Sequence, residues 1–530
     1  MAHDLSRRAL LADGGALALA ATAGPVGATP GWQSRLVHYD RRGRLVYEQD
    51  AEGNRVPDFS HAGYHNGERP IPHVRVVTTL RPVEGDNTAH TQAALDAVGA
   101  LPRARRGALL LLPGVYPVAG TLYVRASGTV LRGSGDGADP ARDTIIKATG
   151  NNPKDRDVIV AGGAAGGGWT GEVPGTRTDI TTEFVQVGSR QFAVANPGAL
   201  RPGDNIVIRH PCTEEWLRAI DYGGHDVGPP WRVDEQPISY NRYIRDISGN
   251  VVKIDVPVFN HLNRAHSPSF LYKWDRAGLV TEVGVERLRV DIEYHGDPDQ
   301  DEDHAYNAIV LLRTEDSWVR DCTLLHFTQA GVATQETTRA TVRNCRAIDP
   351  VSLVTGSRRY NFNTYTYSQQ VLFRDCHAYK ARHAFVSNGH STVSGIVFLR
   401  GTAEYALNSS EGHRRWSQGL LFDGHRDIDP HYDYTLGLYN RGRYGTSHGW
   451  SAAHSVAWNC DVSTSRLIVQ KPPTAQNYAI GCHGTVTGDG PFQQPTGYIE
   501  GTGQAGLLPP SLYQAQLLDR LRDGAEAPAR

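Results

Sequence analysis

The residues best equipped for chemistry gather in one stretch, Glu411-Gly-His413-Arg414-Arg415-Trp416. A histidine has an unperturbed pKa of about 6.5 and moves protons near neutral pH. A neighbouring carboxylate orients it. Arginine forks match carboxylates with paired hydrogen bonds, and a tryptophan offers a flat face to a sugar ring. Comparable polar turns recur on either side. They read Gln335-Glu336; Arg358-Arg359-Tyr360; Asn388-Gly-His390, preceded by Lys380, Arg382 and His383; Asn440-Arg441-Gly-Arg443-Tyr444, running on to His448 and Trp450; and Gln470-Lys471. Each turn follows a short apolar run, at 331–334, 352–355, 384–387, 405–407, 436–439 and 467–469. Placed at one position in successive turns of a repeat, these side chains form a cationic, aromatic stripe. The whole chain has a formal net charge of only −2, so this basic surface is local and gives no case for nucleic acid or an anionic membrane.

Such a stripe suits an extended anionic polymer. Two reactions fit it. In β-elimination from a uronate, a base removes the proton alpha to the carboxyl group, and cations stabilise the enolate that develops. In glycoside hydrolysis, two carboxylates usually flank the bond. The stripe is rich in His and Arg but has only Glu336 and Glu411, with Asp423 a strand later, so elimination is favoured. His413 is the candidate general base or acid, with Glu411 beside it. Arg415 and Arg382 are candidates to neutralise the substrate carboxylate, and His383 is a second proton-transfer group. Arg414, Trp416, Arg358, Arg359, Tyr360, His390, Arg441, Arg443, Tyr444, His448, Trp450 and Lys471 are candidate substrate contacts. The expected function is a secreted polysaccharide lyase. The alternatives are a hydrolase or transferase using Glu411 with Asp303 or Asp423, and a glycan-binding protein that needs only the stripe. For any single residue, the plainer role is to satisfy backbone groups in a turn.

A repeat must position these turns. Ser317-Trp-Val-Arg-Asp-Cys322 returns as Ala340-Thr-Val-Arg-Asn-Cys345 and Val371-Leu-Phe-Arg-Asp-Cys376, then as Ile396 to Gly401, Gly419 to Gly424, Ser455 to Cys460 and Asn477 to Cys482. A period of roughly 20 to 50 residues marks a repeat architecture. Short β-branched and aromatic phrases ending in turn residues read as strands. The expected class is all-β, a parallel β-helix or solenoid. Its 57 glycines and single methionine suit tight turns. Five of six cysteines end the phrase, which predicts an internal ladder of buried thiols rather than a metal site.

The chain divides by composition. Residues 1–28 carry Ser6-Arg7-Arg8 before a small apolar run, the pattern of a twin-arginine export signal. Residues 29–75 form an arm. Within 76–150, Gly85-Asp86-Asn87-Thr88 starts a helix, and strands follow at Leu112-Pro-Gly-Val-Tyr116 and Leu131-Arg-Gly-Ser-Gly135. That order resembles the N-terminal cap of pectate-lyase-like proteins. The resemblance implies a right-handed parallel β-helix with an N-terminal capping helix and, for its function, extracellular breakdown of acidic polysaccharides. Residues 151–275 read as a small β insertion whose aromatic loop includes Trp216, Tyr222, His225, Asp226 and Trp231. The main solenoid covers 276–505, and 506–530 holds a helix expected to cover its open end. An acidic loop containing Asp299, Asp301 and Asp303 is a candidate Ca²⁺ site, though it lacks the spacing of a defined calcium loop.

Overall fold

The computed structural model describes residues 31–150, 154–224 and 227–526. The expected export signal, His225 and Asp226 lie outside them. Three parallel strands make each coil. In one coil they are Trp318–Arg320, Thr323–Leu325 and Ala330–Gln335. In the next they are Thr341–Arg343, Arg346–Ile348 and Tyr360–Thr364. Equivalent strands pair coil to coil and build three long parallel sheets, termed one, two and three in chain order. This is the expected parallel β-helix.

The interior follows from register. In sheet one, Val319, Val342, Phe373, Phe398, Phe422 and Ala457 lie directly one above another. The Phe373–Phe398 and Phe398–Phe422 rings stack at 5.2 and 4.9 Å. Sheet two aligns Leu324, Ala347, Ala378 and Ala403, a column of small side chains, and the Phe373 and Phe398 rings meet Phe362 and Phe385 of sheet three at 6.0 and 5.6 Å.

The repeated phrase has a backbone cause. Asp321, Asn344, Asp375 and Asn459 all have φ between 51° and 54°, a left-handed region that Asp and Asn tolerate better than most residues. Gly424 occupies the same slot at φ 64°. The next residue carries the ladder, and its carbonyl accepts from the following strand in the coil above: Cys322, Cys345, Cys376, Gly401, His425 and Cys460. The sequence reading ended the fifth phrase at Gly424, one residue early. His425 stands in the thiol column, buried against Phe385 and Phe422 and bonded to Asp427 at 3.1 Å. All six cysteines are buried and free.

Sheet one is apolar on its outer face as well. Leu372, Val397, Leu421, Val456 and Tyr478 form an outward row that joins a second core with the insertion, the arm and the last helix. The insertion is a six-stranded sheet around Asn205–His210 and Ile238–Ser248. At the N-terminal end, helix α1 (Thr88–Ala100) buries Leu95 and Val98 over the first coils, with Asp86 accepting from Thr88 N at its start. Near the C-terminus, helix α2 (Leu512–Glu526) docks on the side of sheet one and on the arm. Gln516 bonds Phe59 N and Pro57 O, Tyr513 OH donates to Ala62 O, and Arg520 donates to Ser60 O and Asn66 O. The helix therefore clamps the arm, where the sequence reading had it covering the open end.

Asp423 joins this clamp. Its Oδ2 accepts from Ser511 Oγ at 2.7 Å and Tyr513 N at 2.8 Å, while complete burial pushes its carboxyl up to about 7. The folded pKa lies above the unfolded value, so the favourable protonated state is lost as pH rises through about 7. The melting temperature of Asp423→Asn should exceed that of the parent by a margin that widens from pH 5 to pH 8. A constant margin in calorimetry would overturn this assignment.

Candidate functional site

The outward row of sheet three runs Ala333, Asn363, Val386, Glu411, Gly437, Ile468. Glu411 is fully buried on this face, and five groups converge on it. Oε1 takes His413 Nδ1 at 2.6 Å and lies 3.3 Å from both Arg441 Nε and His383 Nδ1. Oε2 accepts from Ser409 Oγ at 2.5 Å and Tyr439 OH at 2.9 Å. The missing side chain at Gly437 makes the last bond possible, because a Cβ there would meet the Tyr439 ring at 2.4 Å. The local strand supplies the rest. Ala384 and Phe385 both enter the solenoid core, so alternation breaks there and His383 joins the outer cluster.

Hydrogen-bond chemistry fixes the tautomers. A ring nitrogen 2.6 Å from a carboxylate must donate, so His413 carries its proton on Nδ1. Arg441 Nη1, 2.8 Å from that nitrogen, instead donates to the His413 carbonyl at 2.9 Å. His413 Nε2 is left as an acceptor, 3.1 Å from Tyr360 OH. The Tyr360 oxygen itself accepts from Arg382 Nη1 at 3.2 Å and Ser357 N at 3.1 Å. A phenol is thus held between a base and a cation. His383 Nδ1 donates to Ser409 O at 2.6 Å, and the His448 ring lies 4.8 Å from His413.

Burial, followed by the charge of Arg441, holds His413 well below the usual histidine range. Burial does the same to His383, and it lowers His448 and His390 to about 3. These imidazoles are neutral at physiological pH. His383, Glu411 and His413 place ligand-type atoms within 4.8 Å of one another. Arg441 already neutralises the carboxylate there, and the Nδ1 protons of both histidines are committed, so the group is a hydrogen-bonded network rather than a cation site.

Around this centre stand guanidiniums with no carboxylate partner among the described residues. Arg382 bonds only Tyr360 OH, Arg414 Nε donates to Asn388 O, Arg415 donates to Thr446 O, and Arg443 lies over Phe492. Several arginines elsewhere are tied down: Arg320 and Arg132 to Glu286, Arg400 to Asp375, Arg313 to Glu336. Arg414 is depressed by burial and then by Arg415, as two adjacent unpaired cations must be.

Several expected stripe residues go elsewhere. Trp416 is buried under the insertion, bonded to Asn260 Oδ1 at 2.9 Å and edge-on to Trp216. Trp450 is buried in the same core, so neither can stack a sugar. Arg358 pairs with Glu302, and Arg359 is buried against Asp299 and Ser352 O. Arg441 is a buried partner of Glu411. Tyr444 is exposed against Phe492. Lys471 lines a separate cavity with Asp50, His454 and Tyr478. In the acidic loop, Asp301 accepts from His295 N and Asp303 N, and Asp299 holds Arg359; these carboxylates serve the loop's own turns.

The sequence reading missed Tyr439 and Ser409. It also missed a chain on the same face in which Gln329 bridges Tyr306 OH at 2.8 Å and Tyr365 OH. The strand is Tyr360–Thr364, not 352–355, and Ser410–Gly412, not 405–407. Counting from the left-handed Asp/Asn/Gly slot would have exposed the slip.

No protein-family model and no curated protein matches the sequence. Similar solved structures include the tailspike gp49 of Pseudomonas phage LKA1, 15% identical over 78% of this chain and 74% of that one, TM-score 0.42. The surface adhesin PfbA of Streptococcus pneumoniae is 10% identical over 82% and 83%, TM-score 0.43. An alginate lyase of Paenibacillus sp. FPU-7 is 8% identical over 82% and 99%, TM-score 0.37. Likeness of this degree, spread over a tailspike, an adhesin and a lyase, selects no activity.

Nitrogen NMR of the imidazoles should show His413 protonated on Nδ1 alone and still neutral at the pH, about 6.5, where an unperturbed histidine is half protonated. A His413 that titrates near that value would overturn the tautomer assignment.

Proposed function

We propose that the protein is a polysaccharide lyase that cleaves a uronate-containing polymer by β-elimination. The observation that carries this reading is the Glu411–His413–Tyr360 relay, bordered by Arg382 and Arg414, with no second carboxylate among the partners of Glu411. Asp423, one candidate for a hydrolytic pair, lies beneath α2. Glu336 is committed to Arg313 and to the amides of Gly166 and Gly167.

In this reading Arg382 and Arg414 take the substrate carboxylate. Their charge lowers the cost of the enolate as it forms. The phenolic proton of Tyr360 passes to His413 Nε2 only transiently, because burial and Arg441 disfavour the imidazolium and Glu411 alone offsets its charge. The Tyr360 oxygen then takes the proton alpha to the carboxylate. The bond from the β-carbon to the glycosidic oxygen breaks as the double bond forms. The proton on Tyr360 leaves with the departing oxygen, and His413 returns its own. Both catalytic groups end as they began, and no water is consumed.

Incubation with a panel of uronate polymers tests this. An increase in the ultraviolet absorbance of an unsaturated uronate is the expected result. Reducing ends without that absorbance would overturn elimination in favour of hydrolysis, and neither product would leave binding alone. Tyr360→Phe should lower kcat by about 100- to 10,000-fold with little change in KM, the usual range for proton-transfer groups.

The pH profile follows from the depressed histidines. Their reactive neutral form persists as pH falls until their depressed folded pKa is reached, so kcat/KM should show no acid limb near pH 6.5, where an unperturbed His base would give one. A limb there would remove His413 from the relay.

A further inference from the structure

A second polar cavity, of about 390 Å³, lies where the arm meets the insertion. It shares no residue with the Glu411 centre. Its lining includes Arg55, Arg190 and Lys253 with Gln49, Gln186 and Gln191, and no carboxylate. The walls are fixed. Asn54 Oδ1 accepts from Val187 N at 3.0 Å, joining arm to insertion. Gly188 and Gly53 both have positive φ, at 88° and 84°. A Cβ at Gly188 would lie 2.9 Å from Arg55 Nε, and one at Gly53 would lie 3.1 Å from Gln186 Cγ. Both loops turn through positive φ at these glycines, where their backbones approach the Arg55 and Gln186 side chains.

The cations are available. Arg55 lies over the Tyr47 ring, with 4.7 Å from guanidinium to centroid, and makes no ion pair among the described residues. Arg190 uses Nε on Ile254 O at 3.2 Å, which leaves its terminal nitrogens. Asp58 and Asp255 influence it from outside the lining. Lys253 is exposed, with Asp246 opposite it in the strand ladder.

We propose that this cavity is a second binding site, separate from the Glu411 centre, for one or two residues of a carboxylated sugar. The three cations would take the carboxylate, and the three glutamine amides, each both donor and acceptor, would take ring hydroxyls. The volume falls at the low end of the range for small-molecule sites, roughly 300–1,000 Å³. Such a site would hold one part of a polymer while another lies elsewhere, raising its effective concentration. The proposal does not depend on the lyase reading.

The test is calorimetric titration of galacturonate, glucuronate and digalacturonate into Arg382→Ala/Arg414→Ala protein, whose Glu411 centre lacks the two cations proposed to take a carboxylate. Galactose and inorganic sulfate serve as controls. Binding of the acidic sugars is expected, weakened about tenfold or more by adding Arg55→Gln and Lys253→Gln, since a hydrogen bond to a charged group has that worth. Neither side chain makes a hydrogen bond in the structure, so a melting curve should confirm that the variant folds. No binding of any acidic sugar, or equal binding by the variant, overturns the site. Sulfate binding as tightly as the uronates overturns the sugar assignment. Cleavage of polymers is assayed separately: loss of uronate binding in the Arg55→Gln/Lys253→Gln variant alongside a failed lyase assay would sustain this site and sink only the reaction.

Discussion

Everything in this structure depends on parallel pairing between coils. A strand pairs with its equivalent one coil away at about 4.8 Å, so each position becomes a column. The columns are then decided by side-chain type. Rings stack on rings in sheet one, methyls line sheet two, and thiols fill the corner between them. The left-handed residue before each thiol is the pivot. Asp, Asn and Gly recur there because the backbone turns with φ near 50 to 64°, a conformation costly for β-branched residues. The motif is thus a corner, and its cysteines are small bodies that fit behind it. His425 shows the constraint by exception: a larger, polar side chain stands in the column and needs Asp427 as a buried partner, with Thr435 on the far oxygen at 2.6 Å.

Sequence patterning conveyed the corner and the columns well, because both are local and repeated. It conveyed the third strand poorly. Between one corner and that strand the loop varies in length, so a count from the corner loses phase. The run at 352–355 is apolar but belongs to the long loop before Tyr360, where Leu353 and Val354 are exposed. Glu411, His413, His383, Arg382 and Tyr360 are brought together all the same, since they flank strand ends and stay near the turns whichever way the register slips. Trp416 and Trp450 were misjudged for a different reason. An aromatic beside a cationic turn looks like a sugar platform, yet the insertion needs anchors on sheet one, and the largest side chains serve that need. Nothing within the repeat itself announces a partner contributed from another part of the chain.

Burial at the centre has consequences of its own. A carboxylate taken out of water must be paired and hydrogen-bonded or it will take up a proton. Glu411 meets that demand with Arg441 beside it and Tyr439, Ser409 and His413 donating. The same low-dielectric setting keeps His413 neutral. The two effects reinforce each other: the carboxylate fixes the Nδ1 proton, and the fixed proton leaves Nε2 as a lone pair aimed at Tyr360. A more exposed histidine would be protonated part of the time and would turn freely between partners.

Why the Glu411 centre forms on sheet three follows from the other two sheets. Sheet one strands are apolar at successive positions, as in Leu372-Phe373 and Leu421-Phe422, so both faces must be covered; the interior takes one and the arm, insertion and α2 take the other. Sheet two presents its outer face to solvent with Arg346, His377 and Arg426. Sheet three combines an outer face free of the clamp with turns that carry His, Arg and Tyr, and its Glu411 strand is itself only three residues long. Among the described residues, Arg382, Arg414, Arg415 and Arg443 stand on this face without an ion pair. Unpaired cations set side by side leave a local positive potential on a nearly neutral chain, and the buried Glu411–Arg441 pair beneath them holds the turns that present it.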